Sequence, residues 1–213
     1  MNGKRTLLDF SEYIKNSINA VVGKDFYDLL FEWTKSGTTY YGWNRIKYFL
    51  FEYELHLQAQ TKTTRSKLDW ASFAKEKYTS DFETVEHIYP QRARSEYWKS
   101  RFDAYTPKEK ALLRNSLGNL LALSRPKNAS LGNKPFPDKL GDEINKVGYT
   151  YGCYSEIEVS KVADWNASAI TARGISMMNF LEHRWKLQIG DNSQKLRALG
   201  LDFVISKSIR LSK

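Results

Sequence analysis

The 213-residue chain is 41% hydrophobic and 27% charged, too apolar for a disordered chain and ordinary for one with a packed core. No apolar run approaches the roughly 18 to 20 residues of a membrane span, and Met1-Asn2-Gly3-Lys4-Arg5 leads into polar helical patterning, not a signal peptide. The single cysteine, Cys153, excludes an internal disulfide and a Cys-x-x-Cys zinc site, so the composition reads as soluble, reduced and cytoplasmic.

In chain order, residues 7–22 carry apolar side chains at helical spacing until Gly23, and Asp25 is placed to cap a helix over 26–34. Val22-Gly23-Lys24-Asp25 lacks the first glycine and the Ser/Thr of a phosphate-binding loop and reads as a turn. From Gly42 the spacing of Trp43, Ile46, Leu50, Tyr53 and Leu57 predicts a long helix with one buried stripe. Asp69 caps a predicted short helix through Lys77. Thr84-Val85-Glu86-His87-Ile88 is short, β-branched and alternating, hence a strand, stopped by Pro90. Helices follow over 95–102 and 107–115, then a second strand over 118–123 and a helical turn from Pro126 to Gly132. A last long helix spans 165–187, with Gly190 as its C-cap, before a basic amphipathic tail.

The formal charge is +9, and it is not evenly spread. Between His87 and Lys139 eleven basic residues face four acidic ones, a local net of +7. Such a surface suits a polyanion, because each neutralised phosphate releases counterions. A solvated basic face is the alternative, and charge alone leaves the two open.

Polar residues interrupt the apolar patterns at three places: Glu86-His87 in the first strand, Asn119 in Leu117-Gly118-Asn119-Leu120-Leu121, and Asn128 after Pro126-Lys127. Each needs a hydrogen-bonding or coordinating reason to be there. In this order, Thr84-Val85-Glu86-His87-Ile88-Tyr89-Pro90-Gln91, Leu117 to Leu123 and Asn128 resemble an HNH (His-Me finger) nuclease. The wider series resembles the C-terminal nuclease domain of GmrSD-type, modification-dependent restriction enzymes. It adds Tyr40-Tyr41-Gly42-Trp43, Tyr48-Phe49-Leu50 and Tyr53-Glu54 before the motif. After it come Asn133, Phe136 and Lys139, then Trp165, Ile170, Arg173 and Trp185.

The resemblance implies a mainly α fold with a small β-hairpin, a ββα-metal core embedded between helical flanks. That core would occupy 81–140, with helical regions over 1–80 and 141–213. The thirty-two residues from His87 to Asn119 exceed what compact members have, so 92–116 would be a helical insertion. The implied activity is hydrolysis of DNA, modified or phage DNA included, in restriction or anti-phage defence. By the same resemblance His87 is the catalytic base and Glu86 a metal ligand. Asn128 gives an amide oxygen to the same metal, and Asn119 ties the loop after the first strand to the second.

One carboxylate and one amide oxygen form a hard, low-charge set suited to Mg²⁺ or Mn²⁺ over zinc. Alternation places Glu86 on the strand face opposite His87 unless the strand end twists. Arg125, Lys127, Lys134 and Lys139 are the candidates for phosphate contact. His56 and His183 read as helix-surface or packing residues, and Cys153 as inert.

Domains of this type accompany a ParB-like NTPase domain, for which 213 residues leave no room. Recognition then falls to a longer protein or to a separate NTPase partner. One such site cuts one strand per event, so a double-strand break requires a homodimer or two encounters. A non-cleaving nucleic-acid-binding module and an interaction subunit of a defence complex are the alternatives.

Overall fold

The computed structural model describes residues 39–69, 84–144 and 146–211. The helices expected over 7–22 and 26–34, the turn at 22–25 and the helix expected from Asp69 to Lys77 lie outside the described residues. Among those described, helices dominate around one two-stranded antiparallel sheet. Strand β1 (Thr84–His87) pairs with β2 (Leu120–Leu123) in the register Thr84–Leu123, Val85–Ala122, Glu86–Leu121 and His87–Leu120. No described helix is long and apolar enough to cross a membrane.

Helix α1 (Ile46–Ala59) starts later than expected, because a 3-10 turn occupies Tyr40–Gly42. It also buries more than a stripe: every residue from Tyr48 to Glu54 is shielded. Two of these are glutamates, and each has a partner. Glu54 accepts from the N–H groups of Tyr154 and Ser155 at 2.6 and 2.8 Å, and Glu52 from Arg184 at 2.7 Å. The first pair of bonds caps α6 (Tyr154–Ser160), whose N-terminal N–H groups have no helical acceptor.

Between the strands lie α2 (Glu96–Phe102) and α3 (Pro107–Asn115). Thr106 and Glu109 form a reciprocal capping box at the start of α3, and Pro107 fills a first-turn position where its missing N–H costs nothing. Helices α4 (Arg125–Leu131) and α5 (Phe136–Leu140) follow the sheet. Helix α7 (Ala167–Trp185) crosses behind it, capped by the Asn166 side chain. It ends at Lys186 in the left-handed region, so Gly190 is not its C-cap; Gly190, at φ 105°, leads instead into Asp191, the N-cap of α8 (Asn192–Leu199). The basic tail is two helices, α8 and α9 (Asp202–Leu211), parted by Gly200 at φ 70°. One apolar core runs through these elements, from Tyr40 and Phe49 through Trp98, Leu121, Phe136, Trp165 and Met177 to Val204.

The second strand begins at Leu120 and not at Gly118, because Leu117–Asn119 form a 3-10 turn pressed against α7. A Cβ on Gly118 would lie 2.1 Å from the Ile170 carbonyl oxygen and 2.6 Å from the Gly174 nitrogen. Both are backbone atoms and cannot turn aside. Gly118→Ala therefore costs about 2–3 kcal/mol in urea denaturation, as overpacking does. Gly42→Ala, whose Cβ would meet nothing nearer than Thr39 Oγ1 at 4.0 Å, is the matched control and stays within about 1 kcal/mol of wild type.

Candidate active site at the end of the hairpin

Alternation along β1 sends Thr84 and Glu86 to one face of the strand and Val85 and His87 to the other. The chain then leaves the sheet at Ile88, whose N–H still donates to the Asn119 carbonyl at 3.1 Å.

Asn119 fixes that exit. Its side chain is fully buried, and its Oδ1 accepts from the Tyr89 N–H at 2.8 Å and from Trp165 Nε1 at 3.1 Å. Its Nδ2 donates to the carbonyls of Tyr89 at 3.0 Å and Arg114 at 2.8 Å. All four hydrogen-bonding positions of the amide are thereby filled. Arg173 on α7 supports the same turn, donating to the carbonyls of Gly118 and Leu120, each at 2.9 Å. Tyr89 itself stacks on Phe102 with centroids 3.8 Å apart.

Glu86 is buried, and its Oε1 accepts from Lys139 Nζ at 2.6 Å and from the Tyr149 hydroxyl at 3.2 Å. Lys139 has no exposed surface for a DNA phosphate to reach. Its ammonium also donates to the carbonyls of Ile88 at 3.1 Å and His87 at 3.3 Å. Burial pushes the Glu86 carboxyl up and the Lys139 ammonium down, each opposed by the other's charge. The pair locks the end of β1 to α5.

His87 is 7% exposed, and its ring lies against Tyr41 with centroids 4.3 Å apart. Nε2 stands 3.1 Å from Asn115 Oδ1. Burial lowers the imidazole's pKa, and Lys139 and Arg114 lower it further against the bond to Asn115. The ring is therefore neutral at pH 7, the state a base needs.

Asn128 on α4 turns its Nδ2 to Thr84 Oγ1 at 2.9 Å, on the Glu86 face of β1. That leaves the amide Oδ1 as the atom available to a cation. Glu86 and Asn128 thus share a face, whereas the imidazole of His87 projects from the other. Lys127 is held in an ion pair with Glu156, whereas Arg125 and Lys134 are exposed. Among the described residues no three His, Cys, Asp or Glu side chains form a group that could hold a metal.

The other sequence readings place simply. His56 packs its ring 4.8 Å from Phe180, and Cys153 is buried, with burial pushing its thiol up. Four further residues meet the site: Tyr41 and Thr84 stand inside the family-like series but carry no role in sequence, Tyr149 belongs to no motif, and Asn115 reads in sequence only as the end of a helix.

The family model described as GmrSD restriction endonucleases, C-terminal domain, matches residues 25–180, and the chain belongs to this family. It is a restriction-endonuclease-type nuclease domain. No curated protein and no solved structure matches it.

Removing one partner of the buried pair strands the other charge. Lys139→Met accordingly costs about 3–5 kcal/mol in chemical denaturation. Adding Glu86→Gln to it recovers most of that loss. A Lys139→Met protein within about 0.5 kcal/mol of wild type would contradict the pairing.

Proposed function

We propose that this chain is a metal-dependent HNH endonuclease that hydrolyses DNA phosphodiester bonds in restriction or anti-phage defence. The observation that carries this reading is the β1–β2–α4 unit, with His87 at the end of β1, Asn119 at the entry to β2 and Asn128 on α4. In it, His87 takes the proton of the attacking water at its unprotonated ring nitrogen. The water oxygen bonds to phosphorus as the P–O3′ bond breaks, and the departing 3′-oxygen takes a proton from solvent, leaving 5′-phosphate and 3′-hydroxyl ends. Because His87 and Glu86 project from opposite faces, the scissile phosphate lies across the strand end, where both are reached. Asn119 holds that end in place.

The donor set suits a hard cation. Glu86 brings a carboxylate that Lys139, Tyr149 and the His87 backbone N–H hydrogen-bond, and Asn128 brings its amide Oδ1. Mg²⁺ or Mn²⁺ held there supplies positive charge to the phosphate and the leaving oxygen. Because Lys139 shares that carboxylate, the two residues alone would hold a divalent cation only weakly. Arg125 and Lys134, exposed at the two ends of α4, make the phosphate contacts. Lys127 and Lys139 do not, because their ammonium groups are engaged by Glu156 and Glu86.

The test is conversion of supercoiled plasmid with Mg²⁺ or Mn²⁺. Wild type converts it to open-circle or linear DNA, and EDTA abolishes the reaction. His87→Ala loses about 10²–10⁴-fold in rate, the usual worth of a general base, and Asn128→Ala is strongly reduced. Plasmid that is bound but never cut, with either metal and with an NTPase partner supplied, sinks the reading.

A further inference from the structure

The segment 92–116, which separates the two strands, does more than lengthen the chain between them. Its second helix, α3, ends inside the site. Arg114 gives its carbonyl to Asn119 and donates Nη1 to the Gln91 carbonyl at 2.7 Å, so the last turn of α3 is tied to both sides of the hairpin exit. Asn115, the next residue and the last of the helix, turns its Oδ1 to His87 Nε2. Ser116 then leaves the helix in extended conformation at φ −69°, ψ 147°.

An amide oxygen only accepts, so the nitrogen it faces carries the proton. In a neutral imidazole the other nitrogen then holds the lone pair. We infer that Asn115 is a positioning residue that holds His87 in its Nε2–H tautomer, leaving Nδ1 as the proton acceptor, with the Tyr41 ring bracing the imidazole. The helical insertion is thereby part of the catalytic apparatus. This rests on the nuclease reading for its consequence, though not for the contact itself.

The chain has three histidines, so ¹⁵N-histidine labelling gives a resolvable spectrum. Long-range ¹H–¹⁵N correlation at about pH 9, above the ordinary imidazole range, reads the tautomer directly. Wild-type His87 shows the Nε2–H pattern. Asn115→Ala loses that bias, and Asn115→Asp, which keeps an acceptor oxygen, restores it. In plasmid cleavage Asn115→Ala lowers kcat by roughly 10- to 100-fold, as misplacement of a catalytic group does, with KM little changed.

An Nδ1–H tautomer in wild type overturns the proposal, and that measurement needs no variant to fold. Unchanged tautomer and kcat in Asn115→Ala overturn it equally. If wild type never cuts DNA but shows the Nε2–H tautomer, lost in Asn115→Ala, the nuclease reading fails and the positioning contact stands.

Discussion

The buried amide of Asn119 is the contact on which the rest of the site depends. A primary amide in an apolar interior is tolerated only when its donors and acceptors are all engaged, and each orphaned group costs about 1–3 kcal/mol. Asn119 meets the condition by joining four segments: the loop after β1 through Tyr89, the end of α3 through Arg114, the approach to α7 through Trp165, and β2, which it precedes directly. Tyr89 and Trp165 are thirty and forty-six residues from Asn119 in sequence. The contact therefore converts the strand end that carries His87 from a loop into a fixed point.

Around it the interior holds charge in compensated form. Arg173 spends its guanidinium on the turn at Gly118 and on Glu158, at 2.9 Å. Glu54 caps α6, and Lys139 meets Glu86 in the dark side of the hairpin. Such pairs add little net stability over apolar residues of the same volume, but losing one partner is costly. Their effect is to fix where helices begin and where strands stop. A nuclease needs that, because its base must hold position while a long polyanion binds and leaves.

Some of this was legible in the residues and some was not. Thr84 to His87 announced a strand by alternation, and Pro107 marked a helix start by local chemistry. His87, Asn119 and Asn128 stood out because polar groups in apolar runs need a reason. The failures that bear on the site are long-range. Lys139 reads as one of eleven surface cations, and only the fold shows it facing a glutamate fifty-three residues away. Glu54 reads as the polar side of an amphipathic helix, and its partners lie one hundred residues on. The late start of β2 follows from the close approach of Gly118 to α7, which no strand propensity records. Asn115 belongs with these, since its contact with His87 arises only after the insertion folds back on the hairpin.

Amide hydrogen exchange at Tyr89 tests most directly whether Asn119 builds the site. The Tyr89 N–H lies beyond the last residue of β1, yet the account predicts that in wild type it exchanges only with opening of the β1–β2 ladder. In Asn119→Ala its protection is lost while amides inside α7 keep theirs. Exchange at the rate of an open loop in wild type, or protection unchanged in Asn119→Ala, would contradict the account.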